Sequence, residues 1–259
     1  MINKKTILIT GASGNLGEKL RQHLQGKYIL KLIDIDPKDD EIFWADLSLW
    51  NKNWVELFQG VDTVVHFAAD SNDRQNWQNL IKPNIDASIN VFTASAQAGV
   101  KRVIYSSASH VMGGYRFSLK DKKITTDLPV LPGTHYYTAD LCQCDSTPYA
   151  ATKLFGERLG KCFSDIYGIS FIGIRIGLIC QGSNKAEDLP VREDQWFSLM
   201  WLSNRDFCHL LDRCIEADQT IRFAIINGMS ANKGMRWDIQ NTKELTGFEP
   251  IDDVTQREI

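Results

Sequence analysis

A tyrosine and a lysine four residues apart, Tyr149-Ala-Ala-Thr-Lys153, are the residues of this chain best suited to chemistry. On a helix they would stand one turn apart on one face. A free phenol ionises near pH 10 and is a poor base at neutrality. An ammonium about 4 Å away stabilises the phenolate by roughly 4 kcal/mol at an effective dielectric of 20, which would bring the phenol toward neutrality. Such a phenolate takes a proton from a hydroxyl while hydride leaves the same carbon. Tyr and Lys at this spacing also occur on solvated helix faces, so the pair acquires meaning only beside a hydride acceptor.

A site for that acceptor is legible upstream, in Thr10-Gly11-Ala12-Ser13-Gly14-Asn15-Leu16-Gly17. Glycine lets the backbone turn sharply and approach a dinucleotide pyrophosphate. The N-terminus of the following helix offers free N–H groups and a positive dipole end. Gly11, Ser13, Gly14, Asn15, Leu16 and Gly17 are therefore the candidate phosphate cradle. Their spacing is G-x-x-G-x-x-G, not the usual G-x-G-x-x-G. Asp34 ends the next apolar run. A carboxylate there accepts both hydroxyls of an adenosine ribose and repels a 2′-phosphate, which favours NAD over NADP. Asp46 and Leu47 would border the adenine, and Ala68 would pass the pyrophosphate and ribose; strand-end packing explains these three nearly as well.

The elements that position these groups alternate. Lys5–Thr10 reads as a buried strand, with a helix around Glu18 to Leu24 behind the glycines. Strands follow at Tyr28–Asp34, Thr63–Phe67, Val103–Ser107 and Ser170–Ile176, with helices at Asn53–Phe58, Ile81–Ala98 and Tyr149–Tyr167. This predicts an α/β fold with a doubly wound parallel sheet. One domain of residues 1–259 is expected, with a dinucleotide-binding core to about residue 176 and a small substrate-binding part after it. Two polar stretches, 114–148 and 178–197, break the rhythm after strands. Ligands of open α/β sheets bind outside the carboxyl ends of strands, so the substrate is expected between them.

Bulk properties bound the class. The chain has 259 residues and a net charge of −3, with no basic surface for nucleic acid or an anionic membrane. No apolar run reaches bilayer length and no signal peptide is read at the start, so a cytoplasmic protein is expected. Six scattered cysteines give neither a disulfide framework nor zinc spacing, and no metal is expected.

With its glycine loop and Tyr/Lys pair, the chain resembles the extended short-chain dehydrogenase/reductase family, the NAD-dependent epimerases and dehydratases, over nearly its whole length. Arg102–Gly113, Tyr149–Glu157, Ile174–Gly177, Trp201–Ser203 with Asp206-Phe207, and Asn227–Asn232 resemble most the bacterial uronate dehydrogenase group within it. The resemblance implies a Rossmann-type domain, NAD as cofactor, a homodimer packed through two long helices, and a small carbohydrate partner. It implies oxidation of a free uronate, or a related small sugar, at C1 to a lactone. The short C-terminal part argues against a nucleotide-sugar. Tyr149 would be the base, with Lys153 tuning it and anchoring the nicotinamide ribose. The family's catalytic Ser/Thr falls on Ala108, so either the enzyme lacks that hydrogen bond and is slow, or Ser107 or Ser109 supplies the hydroxyl, with Ser107 the preferred candidate. Ser71, Ser109 and His110 match substrate-contacting positions. A pocket serine falls on Leu178. The carboxylate-gripping arginine falls near Trp196, which leaves Arg192 as its nearest replacement. A sugar epimerase and an NAD-binding regulatory protein with little turnover are the competing readings.

Overall fold

The computed structural model describes residues 4–118, 122–137, 142–189 and 195–256. In chain order the elements are β1 (Thr6–Thr10), α1 (Asn15–Leu24), β2 (Ile29–Asp34), β3 (Ile42–Trp44), α2 (Lys52–Val55), β4 (Thr63–His66), α3 (Trp77–Leu80), α4 (Ala87–Gln97), β5 (Arg102–Ala108), β6 (His135–Tyr137), β7 (Gln143–Asp145), α5 (Thr147–Tyr167), β8 (Ser170–Ile176), α6 (Asn204–Glu216), β9 (Phe223–Gly228) and α7 (Gln240–Thr246).

Seven strands form one parallel sheet in the order β3-β2-β1-β4-β5-β8-β9, the Rossmann-type arrangement extended by a strand. Every residue of β4, β5 and β8 is buried, because helices cover both faces and such strands need apolar side chains on each. On one face α1 and α6 bring Leu20, Phe207 and Leu210 against Ile9 and Ile174. On the other, Trp54, Phe58, Val91 and Phe92 pack against Leu8, Val64 and Tyr105. The expected fold class is the observed one. Chain order reverses between β1 and β4, and the crevice beyond their carboxyl ends is where such a sheet receives a ligand.

Two glycines lay α5 directly on the sheet. A Cβ on Gly156 would stand 2.2 Å from the Tyr105 ring, and one on Gly160 would stand 2.2 Å from Phe171. Any side chain there would lift the helix. Below the seat, Arg175 of β8 makes a bidentate buried pair with Glu157 of α5, both contacts at 2.9 Å. Together these fix the height and rotation at which α5 delivers Tyr149 and Lys153 to the strand ends.

The helix expected over Ile81–Ala98 begins as a π-turn, Ile81–Asp86, which joins α3 to α4, and is α-helical only from Ala87. Pro83 has no N–H to give the i→i−4 ladder, and the wider turn accommodates it. Asn84, in that turn, is buried and fully used. It accepts from Asp70 N at 2.8 Å and donates to Asp70 O and Thr152 Oγ1. The polar stretch 114–148 contains a short antiparallel hairpin, β6 with β7. After residue 176 the chain does more than form loops: α6 covers one sheet face and β9 joins the sheet. Among the described residues no helix is long and apolar enough to cross a membrane.

Candidate active site

The carboxyl ends of β1, β4, β5 and β8 open into a cleft. Gly11, Phe67 and Ala69 line it along its length. Beyond them Asp34, Asp46, Leu47 and Ala68 border one end, and Tyr149, Lys153, Ser71, Asp73 and His110 border the other.

The first end is built from main chain. Gly11 has φ +73, and a Cβ on it would meet Ala68 N at 2.7 Å. A Cβ on Gly17 would stand 2.1 Å from Gly11 O. These glycines draw β1, the turn and α1 together. Gly14 caps α1 with no side-chain bond, and the first bond of the ladder is Glu18 N–H to Gly14 O. The N–H groups of Asn15, Leu16 and Gly17 precede that ladder and face outward. Ser13 Oγ is buried without a partner. An unpaired hydroxyl beside unpaired helix N–H groups is the donor set a pyrophosphate requires. Asp34 closes this end. Its Oδ2 accepts from Ser13 N at 2.8 Å and its Oδ1 from Asp36 N at 2.9 Å, which fixes the carboxylate and leaves each oxygen a further lone pair. Asp46 is turned by Ser48, and Leu47 is buried with its carbonyl held by Asn90. The residues present thus fit NAD: donors for the pyrophosphate, a fixed carboxylate at the ribose position, and negative charge against a 2′-phosphate.

The other end is built from side chains. Tyr149 is 8 % exposed and Lys153 is 3 % exposed. Lys153 Nζ donates to Ser106 O at 3.0 Å and lies 5.7 Å from the centre of the Tyr149 ring. The expected drop of the phenol toward neutrality is not what these contacts produce. Burial first, then the charges of Asp73 and Asp70, push Tyr149 above its ordinary value. Burial pushes Lys153 down to about 8. Desolvation disfavours both charged forms and here exceeds what the pair gains from its mutual attraction.

Ser107 departs from expectation. Its hydroxyl donates to Glu157 Oε1 at 2.6 Å, inside the buried Glu157–Arg175 pair. Ser107 lines the cleft, but a serine has one proton to give, and in this structure that proton goes to the Glu157 carboxylate. Ser109, the first residue of the 3-10 turn that follows β5, is buried and is not among the cleft-lining residues. Ala108, by contrast, packs against Tyr149 and Leu80 and lines the cleft. The position that matches the family hydroxyl therefore faces the tyrosine, with a methyl group in place of the hydroxyl.

His110 and Ser71 line the cleft as expected. The His110 ring stands edge-to-face with Tyr149, centroids 5.6 Å apart. Arg192 lies outside the described residues. Trp196, where the matching arginine would stand, is buried with its ring 4.3 Å from that of Trp237 and is not among the cleft-lining residues.

Two residues were missed. Asp73 lines the cleft and accepts from Tyr136 Oη at 2.6 Å, and its Oδ2 lies 3.1 Å from His110 Nε2. The signal for Asp73 was its place two residues beyond Ser71 in the same strand-end loop. Tyr136 carries no local signal, because only the hairpin brings it there. Phe197 packs behind it, its ring 5.1 Å from that of Tyr136.

Comparison with known proteins agrees with this arrangement. Residues 7–184 match the family described as "NAD dependent epimerase/dehydratase family". An NAD-dependent glucose-6-phosphate dehydrogenase of Haloferax volcanii is 30 % identical, over 95 % of this chain and 93 % of its own length. A uronate dehydrogenase of Pseudomonas putida is also 30 % identical, over 95 % of this chain and 84 % of its own. The crystal structure of uronate dehydrogenase from Agrobacterium tumefaciens superposes with a TM-score of 0.78 at 26 % identity, covering 97 % of this chain and 86 % of that one.

Proposed function

The chain belongs to the NAD dependent epimerase/dehydratase family, and on that premise we propose that it oxidises the C1 hydroxyl of a small free sugar or sugar acid to a lactone. It is an NAD-dependent oxidoreductase of the kind its relatives are. One observation carries the reading: the pocket beside Asp34 adjoins the pocket that holds Tyr149 and Lys153, and Gly11, Phe67 and Ala69 line both.

The N–H groups at the start of α1 and the Ser13 hydroxyl would hold the pyrophosphate of NAD, and Asp34 would accept the adenosine ribose hydroxyls. NAD, when bound, supplies the hydride-accepting ring and a positive charge beside the tyrosine. Tyr149 Oη takes the proton of the C1 hydroxyl. At rest it is a phenol, since burial and two carboxylates oppose its ionisation, so it becomes a base only with positive charge beside it. Lys153 contributes such charge and, held by Ser106 O, would anchor the nicotinamide ribose. Ser71 and His110 orient the sugar.

The test is NADH absorbance when the purified protein meets NAD and a panel of free aldoses, uronates and nucleotide-sugars. Net NADH from a free sugar supports the reading. NAD carried through purification, with sugar interconversion and no net NADH, would be the behaviour of an epimerase and would contradict it.

A further inference from the structure

The sugar end of the cleft carries a negative charge. Asp73 stands in the loop after β4 and lines the cleft with Ser71, His110 and Gln181. Its side chain is 26 % exposed. Both of its hydrogen bonds reach one oxygen, Oδ2, from Tyr136 and at His110. They lock the orientation of the carboxylate, and its Oδ1 has no bond to any described residue. Burial acts to raise this carboxyl, but the His110 bond and charge and the Tyr136 bond outweigh it and hold it below the usual carboxylate range. Asp73 is therefore ionised at neutral pH, and its charge reaches the reacting centre, where it opposes ionisation of Tyr149.

The positive charges that act on Asp73 are those of His110, bound at its Oδ2, and of Arg74, which does not line the cleft. Among the described residues lining the catalytic half, Lys153 is the only Lys or Arg, and its ammonium is bound to Ser106 O beneath the tyrosine. Leu178, Ile179 and Gln181, which line the same cleft, carry no charge. A locked carboxylate with one open oxygen accepts a hydroxyl well. It repels a second anion within a few ångströms, and a half-buried cleft screens that repulsion less than bulk water does.

We infer that the cleft takes an uncharged monosaccharide, with Asp73 Oδ1 accepting one of its hydroxyls, and selects against sugars that carry a carboxylate or phosphate. This rests on the dehydrogenase reading above and narrows its substrate class.

The experiment compares kcat/KM with NAD for neutral aldoses (glucose, galactose, arabinose, xylose), for glucuronate and galacturonate, and for glucose 6-phosphate. The best neutral aldose should exceed every anionic sugar by roughly tenfold or more. Asp73→Asn keeps the shape and an acceptor oxygen, and it should shrink that ratio about tenfold. A wild-type preference for an anionic sugar, or an unchanged ratio in Asp73→Asn, overturns the inference. Calorimetric binding of the same sugars to Tyr149→Phe reads the preference without turnover. Tighter neutral binding supports it and tighter anionic binding overturns it. Absence of NADH from every sugar would count against the dehydrogenase reading alone, because the calorimetric ratio still decides this one.

Discussion

The two ends of the cleft are made from different materials. At the cofactor end the contacts are main-chain N–H groups and glycines from residues 11–17, with one carboxylate, Asp34, locked by two backbone bonds. At the sugar end they are side chains from distant segments: Ser71 and Asp73 after β4, Ala108 and His110 after β5, Tyr136 on the hairpin, and Leu178 after β8. A site of backbone groups is set by the turn itself and tolerates most side-chain change. A site of converging side chains can be altered by one substitution at a time. The cofactor end is therefore the half set by the backbone, and the sugar end is the half that single substitutions can tune.

The largest test of this separation is Tyr149→Phe. Loss of the proton acceptor should lower kcat by roughly 10²–10⁴-fold, while the dissociation constant for NAD, measured by titration, stays within about twofold because the ring still packs. A parallel loss of NAD affinity would break the division between the ends.

Ala108→Ser comes next. The methyl group facing Tyr149 stands where a hydroxyl would donate to the substrate oxygen, and a hydrogen bond to a charging group is worth about 1.5–3 kcal/mol. Steady-state assay should show kcat rising roughly tenfold or more, with NAD binding unchanged. A fall in kcat would mean that the methyl is required for packing on Tyr149 and Leu80.

Asp34→Ala should act only at the other end. It removes the ribose acceptor and the charge that opposes a 2′-phosphate, so the preference for NAD over NADP should narrow by about tenfold. An unchanged cofactor ratio would remove Asp34 from the ribose site.

Ser107→Ala should have the smallest effect on turnover, within about twofold in kcat, while thermal unfolding shows a loss of roughly 1–3 kcal/mol, since a buried carboxylate loses a donor. A kcat collapse without that destabilisation would return Ser107 to the catalytic role first expected of it.

The same contrast of materials explains what the sequence disclosed. The glycine turn, Asp34 and the Tyr/Lys pair are each contiguous or one helical turn apart, and the strands that carry them are continuous apolar runs. They were readable because their meaning is local. Asp73 and Tyr136 lie 63 residues apart and meet only through the hairpin, so no spacing announces them. The partner of the Ser107 hydroxyl, Glu157, was not legible because it is 50 residues away on α5. The π-turn at Ile81–Asp86 was hidden inside a helical pattern whose one irregular residue, Pro83, was not weighed. Tyr149 and Lys153 were placed correctly side by side, but their ionisation depends on burial, which a sequence states only indirectly.

The central claim is hydride transfer from C1 of a sugar to NAD, and an isotope label tests it most directly. The wild-type protein would be given NAD and a sugar deuterated at C1, and the NADH formed would be analysed by mass spectrometry. The account predicts that the NADH carries the deuterium and that turnover is slower than with the unlabelled sugar. Unlabelled NADH, with deuterium retained at C1 of the product, would contradict it.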